Sequence, residues 1–326
     1  MGNAIPPLTV GMPVYNGERY VADAIESIIN QTFGDFEFII SDNASTDGTE
    51  DICRSYAARD SRITYSRLAE NCGAAPNFNR VFLMARSEYF KFAASDDLCA
   101  LRFLELCMTT YKDAPTDLVL CFPKTVKIAA DGSPQGTIEE RMDLRQTKPH
   151  ARFRAYLTNY WLSNCFYGVM RSAAYRSTRM LKSYDPSDLV LLGELTLRGQ
   201  FWQLDEPLFL RRFHAGMSHK ANRTAEDIQR WFDTTARKGS RDFQKTRMFW
   251  EFLRAIDTTD MSTSERMRCR REFGRIWFRK YWKTLAREVV EGVGIPAPRR
   301  GRLRAGVEPT DDHRGSSRSL GDNSSS

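Results

Sequence analysis

Short apolar runs alternate with stretches of helical periodicity through the first third of the chain. Leu8-Thr9-Val10-Gly11-Met12-Pro13-Val14 reads as a buried strand closed by Tyr15-Asn16-Gly17. Residues 18–31 follow with Tyr20, Ala24, Ile25, Ile28 and Ile29 at helical spacing on one face. A second strand, residues 36–40, ends at Ser41-Asp42-Asn43. Asp47-Gly48-Thr49-Glu50 then opens a helix to about Ala58, with acidic residues in the first turn, where the helix dipole favours them. Residues 63–65 form a third strand and residues 76–85 a helix with proline at a permitted early position. The fourth strand spans residues 89–93 and a further helix residues 101–111. Two more strands, 118–122 and 125–128, precede an Asp131-Gly132 turn. This alternation predicts an α/β fold with a mixed, mainly parallel sheet flanked by helices, and ligands at the carboxyl ends of the strands.

The polar clusters fall at those ends. Asn16 follows the first strand, Asp42 the second, and Ser95-Asp96-Asp97 the fourth. Two carboxylates at the mouth of a cleft suit a hard divalent cation, Mg²⁺ or Mn²⁺, which takes oxygen ligands and shares them with substrate phosphates. The competing reading is a helix start, in which Asp96 or Asp97 caps residues 101–111. Asn16, Asn43 and Asp47 likewise read as turn or cap residues when taken singly.

Composition narrows the setting. With 326 residues, 41% apolar and six tryptophans, the chain can build one large core or a core with an added subdomain. Cysteines 53, 72, 99, 107, 121, 165 and 269 are odd in number and lack Cys-x-x-Cys spacing, which suits reduced, buried thiols in a cytoplasmic protein. The first residues carry no signal-peptide pattern, and no uncharged apolar run reaches the roughly 18 residues of a membrane span. Neither Gly-x-Gly-x-x-Gly after the first strand nor a P-loop is present, which excludes the two commonest nucleotide cradles.

A third arrangement fits. Pro13-Val14-Tyr15-Asn16, the run from Ser41-Asp42-Asn43 to Asp47-Gly48-Thr49, Asn71-x-Gly73 and Ser95-Asp96-Asp97 together resemble family 2 inverting glycosyltransferases of the GT-A (nucleotide-diphospho-sugar transferase) fold. The resemblance covers about residues 7–220. It implies that Pro13, Val14, Tyr15 and Asn16 line the base pocket of a nucleoside diphosphate sugar. Asp42, with Asn43 beside it, would meet the base or ribose, and Asn71 with Arg67 would border the base or diphosphate. Asp96 would contact ribose or donor sugar, while Asp97 would ligate the Mg²⁺ or Mn²⁺ bridging the phosphates. Ser95 stands where many relatives carry another Asp.

Inverting transfer needs a base for the acceptor hydroxyl, and a carboxylate serves when burial raises its pKa toward the working pH. The segment matching the family's base is Asp185-Pro186-Ser187-Asp188, with Asp188 the candidate and Asp185 and Glu194 the alternatives. Asp188 also reads as a first-turn residue stabilised by the helix dipole. Residues 200–204 read as a strand, followed by a Glu-Pro-Leu…Arg-x-His stretch. Arg212 and His214, two apart, would share a strand face toward the diphosphate, His214 as a metal or phosphate ligand. Residues 215–220 would form a lid.

Beyond Thr224 helical patterns take over. Residues 265–290 set nine Arg and Lys among Phe273, Ile276, Trp277, Phe278, Tyr281 and Trp282. Such a helix either lies on an anionic bilayer or packs on the catalytic domain with its arginines solvated; no nucleic-acid motif accompanies the charge. The expected organisation is a catalytic domain at 1–222, a helical basic-aromatic extension at 223–295 and a disordered tail at 296–326. The expected activity is sugar transfer to a glycan or lipid-linked acceptor of bacterial surface polysaccharide or glycolipid, in the cytoplasm or at the inner face of the membrane. A nucleotide-sugar hydrolase or nucleotidyltransferase, and a degenerate nucleotide-sugar-binding protein, are the alternatives.

Overall fold

The computed structural model describes residues 5–160, 162–217, 224–232, 234 and 243–292. The first half alternates as expected: β1 (Leu8–Val14), α1 (Val21–Ile29), β2 (Phe36–Asp42), α2 (Thr49–Arg59), β3 (Ile63–Arg67), α3 (Ala74–Met84) and β4 (Tyr89–Phe92). After it come β5 (Leu98–Cys99), α4 (Phe103–Asp113), β6 (Leu118–Ile128), β7 (Pro134–Ile138), α5 (Pro149–Asn159), β8 (Val169–Arg171), α6 (Ser172–Arg176), α7 (Ser187–Arg198) and β9 (Gln200–Arg212). Three helices close the described chain: α8 (Ala225–Phe232), α9 (Gln244–Thr258) and α10 (Thr263–Gly292).

Among the described residues the strands form one sheet in the order β3-β2-β1-β4-β8-β6-β9-β5, with β7 beside β6. β3, β2, β1 and β4 run parallel, joined by the three helical crossovers α1, α2 and α3, and β6 pairs parallel with β9. β8 runs antiparallel between β4 and β6, which makes the sheet mixed. Period-2 alternation sends side chains to two cores. Phe36, Phe38 and Ile40 pack with α1, α2 and α4, whereas Ile39 joins the side built from α3, α5, α7, α9 and α10.

The segments 118–122 and 125–128 are one strand, not two. Register shifts around Pro123 and Lys124 let β6 carry a proline without breaking. The stretches read separately around residues 200–204 and 206–214 likewise merge into β9. That strand ends at Arg212, so His214 lies beyond it and shares no strand face with Arg212. α4 begins at Phe103 with Arg102 as its N-cap, so Asp96 and Asp97 are not helix caps; β5 intervenes.

The division expected at residue 222 is also absent. Met1–Leu285 form one compact unit and Ala286–Ser326 a second, of which only residues 286–292 are described. Cys269, Phe273, Ile276 and Trp277 of α10 are buried in the core shared by α5, α7 and α9. Trp277 meets Phe252 at 5.6 Å and Phe273 at 5.3 Å. Burial of one such side chain stabilises by roughly 3 kcal/mol, enough to hold the helix on the catalytic body. The tail at 296–326 and residues 218–220 of the expected lid lie outside the described residues. All seven cysteines are free, and all but Cys72 are buried.

Candidate active site

Parallel register sets Val14, Asp42 and Arg67 side by side at the tips of β1, β2 and β3. Pro13 and Val14 are buried within β1, and Tyr15 is 44% exposed at its end. Asn16 adopts a left-handed φ of 51°, which turns the chain so that two loops interlock. Ser45 Oγ accepts from the Asn16 N–H at 3.0 Å, and Asn16 Oδ1 accepts from the Thr46 N–H at 2.8 Å. Gly48 completes the contact, because a Cβ there would stand 2.7 Å from Glu18 Oε1.

Asp42 is fully buried. Its Oδ1 accepts from the Ser45 N–H (2.8 Å) and hydroxyl (2.7 Å), and its Oδ2 from the Tyr65 hydroxyl (2.6 Å). The carboxylate thereby anchors the β2–α2 loop. Arg67 bridges Glu50 at 2.9 Å and donates to the Ser45 carbonyl at 2.9 Å. Asn43 donates to Asn71 Oδ1 at 2.9 Å and accepts from the Cys72 N–H at 3.0 Å, joining the loops after β2 and β3. Asn71 Oδ1 also accepts from the N–H of Gly73, whose φ of 88° suits glycine.

The carboxylate pair sits across from these loops. Asp97 is 9% exposed and accepts from the Arg212 N–H at 2.8 Å. Burial, and then the charge on Asp96, push its carboxyl up to about 8 against the opposing pull of the Arg212 N–H, Arg211 and Lys91. Lys91 is itself fully buried in β4, its ammonium 4.6 Å from the Phe103 ring centroid. Arg212 is 2% exposed and donates to the Asp96 and Ala130 carbonyls and to Asp23, stacked 4.6 Å over Tyr20. It braces the carboxylate loop from behind. His214 Nε2 lies 2.9 Å from Asp96 Oδ2 while its Nδ1 accepts from the Gly216 N–H. That acceptor role assigns the ring proton to Nε2, so His214 donates to Asp96 and orients it.

Asp188 occupies the first turn of α7, half-buried, with its Oδ1 accepting only from the Leu189 N–H. Of the three base candidates it alone has no side-chain partner among the described residues. Glu194 is 1% exposed and locked between Arg179 and Arg198, which removes it as a base. Asp185 accepts from the Gln244 amide at 3.1 Å. Tyr167 lies within electrostatic reach of both Asp188 and the carboxylate pair. Burial first, then the charges of Asp97, Asp96 and Asp188 lift its phenol above the ordinary range, so one ring feels all three.

Sequence reasoning missed the polar residues packed beside the carboxylate pair. Arg211, adjacent to the buried Arg212, contributes a charge felt by Asp97 and donates to Asn164. Glu140, buried against Thr125 and Asn164, is raised by that burial. A signal did exist for Lys91, a cation inside Phe-Lys-Phe; none existed for Glu140, Asn164 or Tyr167.

Residues 9–177, just over half the chain, match the family described as Glycosyl transferase family 2. The chain belongs to glycosyltransferase family 2. TuaG of Bacillus subtilis (strain 168), named as a teichuronic acid biosynthesis glycosyltransferase, is 31% identical over 50% of this chain and 73% of its own length. The abequosyltransferase RfbV of Salmonella typhimurium (strain LT2) is 37% identical over 34% of each. S. aureus TarS 1-349 in complex with UDP-GlcNAc matches in structure with a TM-score of 0.62 at 17% identity, covering 83% of this chain and 72% of that one. The mixed sheet with its flanking helices is thus the GT-A fold, and the chain is a glycosyltransferase.

Within this family 2 enzyme no three His, Cys, Asp or Glu side chains converge on one point among the described residues. The donor set is Asp96 and Asp97, with His214 orienting Asp96 through its Nε2–H. A carboxylate shielded from water next to another carboxylate favours a cation, and so small a set suits an ion that takes its remaining ligands from phosphate and water. The residues fit Mg²⁺ or Mn²⁺ on those terms.

Proposed function

We propose that this chain transfers one sugar, with inversion, from a nucleoside diphosphate sugar to a hydroxyl of a bacterial surface polysaccharide or glycolipid acceptor. The observation that carries the reading is Asp188, a carboxylate with no side-chain partner among the described residues, within electrostatic reach of the same Tyr167 as Asp96 and Asp97. Acceptor and donor would meet between these carboxylates. Asp188 takes the hydroxyl proton while the acceptor oxygen bonds to the anomeric carbon. The bond from that carbon to the diphosphate oxygen breaks, and its electron pair leaves with the nucleoside diphosphate.

Asp97 would hold Mg²⁺ or Mn²⁺ with Asp96 oriented beside it by His214. The ion, when bound, supplies charge stabilisation to the departing diphosphate. Tyr15 and Asn16, with Asn43, Asn71 and Arg67, would line the nucleotide side. Asp42 serves there through the loop it anchors, and Arg212 through the loop it braces. The relatives' named roles in surface glycan synthesis and the UDP-GlcNAc held by TarS support the donor and acceptor classes.

The test is turnover of a panel of nucleotide sugars with glycan and glycolipid acceptors, with and without chelator. Asp188→Asn is expected to lower kcat by about 10³-fold, in line with loss of general-base catalysis, while nucleotide affinity and melting temperature stay unchanged. Full turnover by Asp188→Asn, or undiminished activity of Asp97→Ala in chelator, overturns the assignment. Rapid release of free sugar without acceptor would instead make the chain a hydrolase. Tight nucleotide binding without turnover would make it a binding protein.

A further inference from the structure

The inner face of α10 is accounted for by the core, but its outer face is not. Met267, Phe278 and Trp282 recur at helical spacing on one stripe and are 57%, 53% and 57% exposed. Phe278 meets Phe249 of α9 at 5.8 Å, and Phe249 meets Trp250, itself 56% exposed, at 5.4 Å. Two helices thus present one continuous aromatic surface to solvent, an unusual condition for side chains of this size.

Charge surrounds it. From Arg266 to Arg287 the chain holds nine basic residues and one acid, Glu272; Arg268 and Arg270 pair outside that span with Glu265 and Asp257. Arg271 and Arg275 keep 75% and 67% of their side chains exposed, sharing Glu272 between them. Arg279 is exposed with no ion pair among the described residues. A core-packing helix needs no such excess of exposed arginine, and an apolar protein partner would have to bury Arg271, Arg275 and Arg279 against the one carboxylate of Glu272. No described helix is long and apolar enough to cross a membrane. We infer that the outer face of α9 and α10 docks on an anionic lipid bilayer, the aromatic rings entering the headgroup boundary and the arginines meeting lipid phosphates.

The docked face also connects to the candidate base. Behind the stripe the Tyr281 and Tyr160 hydroxyls lie 2.9 Å apart, and the Lys280 ammonium donates to the Leu157 carbonyl of α5 at 2.6 Å. From the same helix the Tyr156 hydroxyl donates to the Leu189 carbonyl, one residue from Asp188. A bilayer under α10 would hold a lipid-linked acceptor and the helix that carries Asp188 on one body. This link rests on the proposed transfer reaction; lipid binding itself does not.

Flotation of the full chain with phosphatidylcholine vesicles, with and without phosphatidylglycerol, tests it. Binding is expected to the anionic vesicles only and to weaken with salt. Arg271→Gln with Arg279→Gln should lower affinity roughly 30-fold. Phe278→Ser with Trp282→Ser should lower it on the anionic vesicles as well, while circular dichroism and melting remain as in the parent. These positions are solvent-exposed and lie outside the proposed catalytic machinery. Equal binding to both vesicle types, binding to neither, or variants that float like the parent overturn the inference. So does a dimer lost in Phe278→Ser/Trp282→Ser without any vesicle binding, which would make a second copy the occupant.

Discussion

Replacing Asp42 with alanine separates an anchor from a ligand. The carboxylate is fully buried and takes three donors, the Ser45 N–H, the Ser45 hydroxyl and the Tyr65 hydroxyl. Hydrogen bonds to an ionised acceptor contribute about 1.5–3 kcal/mol each, but these three share one group and water can enter the gap, so the net loss is about 3–5 kcal/mol. At about 2.1 cal/mol/K of unfolding entropy per residue, the unit Met1–Leu285 has roughly 0.6 kcal/mol/K. The melting temperature of Asp42→Ala should then fall by about 5–8 °C. Tyr65→Phe removes one donor and should cost about 1 kcal/mol, near 2 °C. Melting by differential scanning calorimetry and titration with UDP by isothermal calorimetry read the two effects. An Asp42→Ala protein that melts within about 1 °C of the parent yet loses UDP binding would refute the anchoring role and return the carboxylate to the nucleotide.

Trp277→Ala opens a cavity in the core that α10 shares with α9 and should destabilise by about 3–5 kcal/mol, in a single denaturant transition. A separate, unshifted transition for the rest of the chain would show α10 to be an independent extension. Glu265 supplies a pH signature. Burial alone would raise its carboxyl, but the His150 N–H and ring outweigh that and hold it below the ordinary range. Its stabilising contribution is therefore present above the unfolded carboxylate's pKa, about 4.3, and is lost as pH falls through the lowered folded value. The stability gap between parent and Glu265→Gln should be full at neutral pH and close as the pH falls below the unfolded carboxylate's value of about 4.3; a gap constant through that fall would contradict it. Glu194→Gln should destabilise by about 3 kcal/mol, because Arg179 and Arg198 lose a buried partner. Unchanged stability with lost turnover would return Glu194 to the catalytic candidates.

The parts of this protein legible in its residues are those set by local periodicity. β1 to β4 and their helices follow from apolar runs long enough to show their period, and the polar residues closing those runs mark the cleft. The missed elements lack that signal. β5 has two residues and β8 three, while β7 is mostly exposed and reads Pro-Gln-Gly-Thr-Ile. The helix of residues 149–159 alternates Arg and His with its aromatics, blurring its face.

Chain pattern by itself determined the α/β alternation, the family resemblance and the position of Asp96 and Asp97 at a strand tip. Tertiary structure decided what each charged group faces. Neighbouring Arg211 and Arg212 point to opposite sides of a strand, so one is half-buried against Asn164 and the other is walled in. Asp188 and Glu194 lie on one helix, yet two arginines from outside its first turns neutralise only the second. Asn164 and Glu140 meet Arg211 and Thr125 from distant segments. Periodicity is a property of neighbours along the chain, whereas burial and electrostatic environment come from segments brought together only by folding.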